Sequence, residues 1–103
     1  RAGPPPVIIL QSDHGPGSNF SFNDPRAAGA RGLRERYAIL NAYYMGKATD
    51  EKNTPGLHPK VTPVNTYRII FNALFGSNMQ MLPDRCFYAP VNRPYDFCEI
   101  ETD

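Results

Sequence analysis

Eleven of the 103 residues are proline, about double the usual ~5%, and they run from Pro4 to Pro94 rather than gathering in a tail. Each fixes φ and removes a backbone donor. A chain punctuated this way is expected to be a loop-rich domain. The length suits a single small domain spanning residues 1–103. Apolar residues make up 41%, with six Phe and six Tyr, enough for a core. Charged residues are 20% and the net charge is +1, which argues against a nucleic-acid-binding domain with its basic patch. No apolar run approaches the roughly 20 residues that span a bilayer, and no secretory signal pattern is present. The chain opens on Arg1 and is read as a piece of a longer protein, so the lack of a targeting segment does not locate the parent.

Arg1 to Pro6 read as an extended lead-in. Val7-Ile8-Ile9-Leu10 is a continuous β-rich run, the pattern of a strand covered on both faces, as in a parallel sheet. It empties into Gln11-Ser12-Asp13-His14-Gly15-Pro16-Gly17, and Ser18 to Asn23 continue as loop. Asp24-Pro25 has the form of a helix start. The following stretch to Tyr37 contains two glycines, each costing about 1 kcal/mol against Ala, so a short helix is expected. Tyr37 to Tyr44 lean toward strand, and residues 46–60 are a polar loop. The clearest helix covers 62–75, with Thr62 as N-cap, Pro63 in its first turn and Gly76 as terminator. Tyr67, Ile70, Phe71 and Leu74 form its apolar stripe. Residues 77–84 connect to two β-like runs, Cys86–Tyr88 and Tyr95–Ile100, able to pair as a C-terminal hairpin. Cys86 and Cys98 are either a disulfide or two free thiols. The fold class is α/β: strand 7–12 central in a small mixed sheet, with helix 62–75 packed on one face.

The chemistry concentrates where the first strand ends. In open α/β sheets, ligands bind beyond the carboxyl ends of strands. Successive strand residues face opposite sides, so Asp13 and His14 can share one ligand only if the backbone leaves strand geometry there. Gly15-Pro16-Gly17 provides such a turn. A carboxylate and an imidazole make a partial shell for Zn²⁺, or for Mn²⁺ as carboxylates increase. The competing reading is an ordinary solvated turn. His58, the only other histidine, reads as a solvent-exposed loop residue. A phosphate loop at 14–18 is disfavoured, because Pro16 removes a donor and no Gly-Lys-Ser/Thr follows. Ser12 and Ser18 lack a nucleophile elbow.

Val7 through Gly15 resemble the late strand and Ser-Asp-His-Gly motif of the alkaline phosphatase superfamily, which includes sulfatases and lipoteichoic acid synthase-like enzymes. Further segments resemble the ends of bacterial membrane-anchored sulfatase-like proteins: Arg36 to Ala42, Thr62 to Arg68, Phe71-Asn72, Phe75-Gly76 and Leu82 to Arg85. The resemblance spans roughly residues 7 to 90. It implies a fragment of a three-layer sandwich, the C-terminal part of a larger catalytic domain. It implies metal-dependent hydrolysis or transfer of phosphate or sulfate esters, with Asp13 and His14 as ligands of a divalent cation (Zn²⁺, Mn²⁺, Mg²⁺ or Ca²⁺). It also implies a parent anchored in a membrane, with its catalytic domain outside the cytoplasm. The upstream acidic ligand, the Ser, Thr or modified Cys nucleophile and a further His have no counterpart in this chain. Thr62, Asn65 and Arg68 are assigned to capping and surface hydrogen bonds rather than to substrate.

The fragment is accordingly expected to be soluble, to hold no metal alone and to be inactive alone, with no catalytic residue of its own. Its main partner is the rest of its own catalytic domain. Nucleic acid is not an expected partner, and an uncovered sheet edge or apolar face is expected to give self-association or partial disorder in isolation. The alternatives are a non-catalytic binding or assembly module and a pseudoenzyme segment. Nucleophile and ligand motifs upstream distinguish the enzyme from both.

Overall fold

The structure, a computed structural model, describes residues 3–46 and 54–101. The fold is α/β, built from two helices and two antiparallel two-stranded ribbons. Strand β1 (Ile8–Gln11) pairs with β2 (Asn41–Tyr44); between them lie a 3-10 turn at Pro25–Ala28 and helix α1 (Gly29–Tyr37). Helix α2 (Pro63–Phe75) follows, and β3 (Cys86–Tyr88) and β4 (Cys98–Ile100) close the chain as a hairpin. The clear helix and the C-terminal hairpin are where the sequence puts them. The polar loop expected at 46–60 lies partly outside the described residues, as do Arg1 and Ala2 of the lead-in. No helix among the described residues is long and apolar enough to cross a membrane.

The chain divides into two compact units, one of residues 1–9 and 42–84 and the other of residues 10–41 and 85–103. In the first, Met45, Val61, Ile69 and Ile70 form the apolar core around α2. Thr66 is fully buried and its hydroxyl meets that of Tyr43 at 2.9 Å. In the second, Pro25, Tyr88 and Ile100 are buried.

Three expectations are corrected. The strand covered on both faces is instead half of a ribbon, with Ile8 53% and Leu10 58% exposed. An antiparallel ribbon of two strands leaves outward side chains uncovered, whereas a parallel strand needs elements on both faces. Helix α2 turns a different face inward: Asn65, Thr66, Ile69 and Ile70 are buried, while Tyr67, Phe71 and Phe75 stack along an exposed row with ring centroids 6.2 and 5.9 Å apart. Counting only apolar positions misplaces this face, because two of its four residues are polar and satisfied by hydrogen bonds. Finally, Thr62 occupies the N-cap position of α2, yet its side chain makes no capping bond. It donates to Asp84 instead, at 2.6 Å.

Two asparagines fasten α2 to the segment that runs back beside it. Asn65 donates to the Leu82 carbonyl (2.8 Å) and accepts from the Leu82 N–H (2.9 Å). Asn72, two turns along, does the same with Met79, at 2.9 and 2.8 Å. In the hairpin, Cys86 lies opposite Ile100 and Cys98 opposite Tyr88. The cysteines are therefore diagonal neighbours rather than a facing pair, and no disulfide joins them.

Candidate functional site

The turn that carries Asp13 and His14 is fixed by its backbone. Past the end of β1, the Ser12 N–H donates to the Leu40 carbonyl and the Leu40 N–H returns a bond to the Ser12 hydroxyl, both at 2.9 Å. Gly15 then donates its N–H to the Arg36 carbonyl at 2.7 Å, satisfying one of the orphan acceptors at the C-terminus of α1. Gly15 is buried there. A Cβ at this position would lie 2.1 Å from the Glu35 carbonyl oxygen and 2.9 Å from that of Ala38. Glycine is thus required for close backbone approach, not for a left-handed φ, which this residue does not adopt.

With the backbone held, the side chains of Asp13 and His14 are left free to face outward, 88% and 49% exposed. Asp13 Oδ1 accepts the His14 N–H at 3.1 Å, and Asp13 Oδ2 lies 3.4 Å from His14 Nε2. The turn therefore brings carboxylate and imidazole to one side, as a shared ligand requires. Two ligands bound to zinc at about 2.0–2.1 Å in tetrahedral arrangement are about 3.3–3.4 Å apart, so these donor atoms match one edge of such a shell. Two ligands do not complete it. Among the described residues no group of three or more His, Cys, Asp or Glu side chains is disposed to hold a metal.

The other imidazole nitrogen decides whether Nε2 is available. Nδ1 lies 2.9 Å from the Gly15 carbonyl oxygen and 2.8 Å from Arg36 Nη1, which also donates to that carbonyl at 3.3 Å. These partners are mutually exclusive for one nitrogen. If Nδ1 accepts from Arg36, the neutral ring carries its proton on Nε2, beside Asp13. If Nδ1–H donates to the Gly15 carbonyl, Nε2 has a free lone pair, the form a metal-bound histidine takes. Arg36 and the Gly15 carbonyl thus compete for the same ring nitrogen.

Arg36 is itself supported by aromatic rings. Its guanidinium lies 5.4 Å from the Phe20 ring centroid and 5.5 Å from that of Phe22, and those rings meet edge to face at 5.4 Å. The Phe22 backbone is held by the Val91 N–H at 3.0 Å. Asp13, His14 and Arg36 all line an open cleft of about 360 Å³. Sequence reasoning did not assign Arg36, Phe20 or Phe22 to this site. The available signal was the Phe-x-Phe pair directly after the glycine turn, which marks a loop with something to cover.

The remaining candidates are placed elsewhere. Ser18 donates to Glu35 at 2.7 Å, and Arg68 donates to the Val64 carbonyl of its own helix at 2.7 Å. His58 belongs to the unit without Asp13 and His14. It is half-exposed and its Nε2 lies 2.9 Å from Asp84 Oδ2. Its Nδ1 accepts the Lys60 N–H at 3.2 Å, so the neutral ring carries its proton on Nε2 and donates to Asp84. Asp84 Oδ1 also accepts the Thr62 N–H (2.7 Å) and the Asn65 amide (3.0 Å). Burial pushes the Asp84 carboxyl up, but the bonds from Thr62, Asn65 and His58 outweigh it and hold the group below its usual range.

Comparison with known proteins returns no match: no family model fits the chain, and no curated protein or solved structure is significantly similar to it.

Proposed function

We propose that this chain is the C-terminal segment of a metal-dependent hydrolase or transferase of phosphate or sulfate esters, of the sulfatase-like kind its sequence resembles. In this reading Asp13 and His14 supply two ligands of a divalent cation, and the nucleophile and remaining ligands come from the rest of the catalytic domain. The observation that carries it is the convergence of Asp13 Oδ2 and His14 Nε2, 3.4 Å apart on an exposed turn whose backbone is tied down at Ser12 and Gly15. A divalent cation there supplies Lewis-acid polarisation of an ester oxygen. The Gly15 carbonyl orients the imidazole, and Arg36 stands beside it as an anion-binding group. The parent is then membrane-anchored with this domain outside the cytoplasm, and the chain alone has no turnover.

The test is substitution in the full-length protein. Asp13→Ala and His14→Ala should each strip the metal and abolish hydrolysis of an aryl phosphate or sulfate, with unchanged circular dichroism. If both variants keep metal and turnover, the pair is an ordinary turn. A second reading, an assembly module, is favoured by the exposed Tyr67–Phe71–Phe75 row. It expects an unrelated upstream region, and expects the chain alone to self-associate through such faces.

A further inference from the structure

We propose that Cys86 and Cys98 are a thiol–disulfide couple, closed into a bridge across the β3–β4 hairpin by a small-molecule disulfide and opened again by the corresponding thiol. The inference rests on the register of the hairpin and stands apart from the function proposed above, since it uses neither Asp13 nor His14.

Successive strand residues face opposite sides, so the register places Cys86, Tyr88, Cys98 and Ile100 on one face of the hairpin and Phe87 and Glu99 on the other. Burial agrees: Tyr88 and Ile100 are buried, both cysteines are half-buried, and Phe87 is exposed. With Cys86 opposite Ile100 and Cys98 opposite Tyr88, the two thiols share one diagonal of that face. Diagonal neighbours on an antiparallel pair have Cα atoms about 7–8 Å apart, with Cβ atoms closer. A disulfide spans about 4.4–6.8 Å between Cα atoms. The gap is about 1 Å, which a change of twist in a two-stranded ribbon closes. A bridge made this way holds strain, and strained disulfides are the readily reduced ones. The register therefore suits a bond that forms and breaks better than a permanent staple.

The chemistry is two exchanges. The thiolate of one cysteine attacks oxidised glutathione, forming a mixed disulfide and releasing one glutathione thiolate. The second cysteine's thiolate attacks the protein sulfur of that mixed disulfide and releases the other. Two protein thiols are oxidised, one glutathione disulfide is reduced, and the two protons pass to the departing thiolates. The bridge then acts on the cleft. Phe87, Tyr88 and Ala89 belong to its wall. Tying Cys86 to Cys98 anchors the strand that carries them, so the redox state sets how firmly that wall is held.

The experiment is incubation of the full-length protein with oxidised glutathione, followed by alkylation of remaining thiols and tryptic mass mapping. Trypsin cleaves after Arg85 and spares the Arg93–Pro94 bond, so one peptide holds both cysteines. That peptide should lose two hydrogens and take up no alkylating agent, and an excess of reduced glutathione should restore both thiols. Cys86→Ser should instead leave Cys98 as a stable glutathione adduct. In the bridged wild type, amide hydrogen exchange across residues 87–89 should slow by about tenfold. Two glutathione adducts, two alkylated thiols, or pairing of either cysteine elsewhere overturns the couple. A bridge that reduced glutathione cannot open makes it a permanent staple and overturns the reversibility. Unchanged exchange at 87–89 overturns the link to the cleft.

Discussion

Asp84 and His58 lie 2.9 Å apart, Asp13 and His14 3.4 Å apart, and each is a carboxylate beside an imidazole. Their surroundings differ. The Asp84 side chain is 20% exposed and accepts bonds from Thr62, Asn65 and His58, so both oxygens are engaged in holding the start of α2. Asp13 is 88% exposed and bonds only within its own dipeptide. One pair is part of the fold's wiring. The other is carried on wiring made mainly by backbone groups, at Ser12, Gly15, Arg36 and Leu40, with the Ser12 hydroxyl accepting one of the bonds. The same two residue types are therefore tied into the fold in one unit and left on an exposed turn in the other, and only their hydrogen-bond partners tell them apart.

The largest effect is expected from Asp84→Ala. It removes bonds to a charged acceptor and leaves the buried Asn65 amide and the Thr62 N–H short of partners. A loss of about 3 kcal/mol in unfolding free energy is expected. Urea denaturation measures it, and a loss below about 1 kcal/mol would break the contrast.

Gly15→Ala probes the wiring under the other pair. The added methyl has no room against the Glu35 and Ala38 carbonyls, so the turn must move away from α1. About 2 kcal/mol of destabilisation is expected by the same denaturation, in the range of overpacked sites. In the full-length protein metal affinity should fall too, although no ligand is altered. An Ala variant of wild-type stability would show that the turn is not held where the bonds indicate.

Acid separates the pairs more gently. The folded Asp84 carboxyl titrates below its unfolded value of about 3.9. Its contribution is therefore fully present above that value and is lost as pH falls through the folded one. Wild type should lose stability below about pH 4 more steeply than Asp84→Asn, followed by urea midpoints between pH 7 and pH 2.5. Parallel curves would mean that the carboxylate is not what those donors stabilise.

Part of this architecture was legible in the sequence, and for identifiable reasons. Helix α2 was marked by Thr62-Pro63 and Gly76, local signals that need no tertiary partner. The Asp13–His14 turn was marked by the glycines after it. The inward face of α2 was misjudged because Asn65 and Thr66 are buried by virtue of partners at Leu82, Asp84 and Tyr43, which lie 17 to 23 residues away. The role of His58 was missed likewise, since Asp84 is 26 residues on. The coverage of β1 was misjudged because an apolar run does not say how many partners the strand will find. Arg36 was hidden because its placement depends on two phenyl rings brought to it by a loop.

The smallest effect completes the comparison. Asp13→Ala and His14→Ala are expected to change unfolding free energy by no more than about 0.5 kcal/mol each. Asp13 offers the fold one bond, to the adjacent N–H, which water replaces readily at such exposure. His14 contributes its contacts to the Gly15 carbonyl and Arg36, and the guanidinium still reaches that carbonyl without it. The β1–β2 ribbon and the Gly15–Arg36 bond use no atom of either side chain. Urea denaturation of both variants checks this in parallel with Asp84→Ala. A cost near that of Asp84→Ala would place Asp13 and His14 in the same structural role as Asp84 and His58, and the case for an open ligand edge would end there.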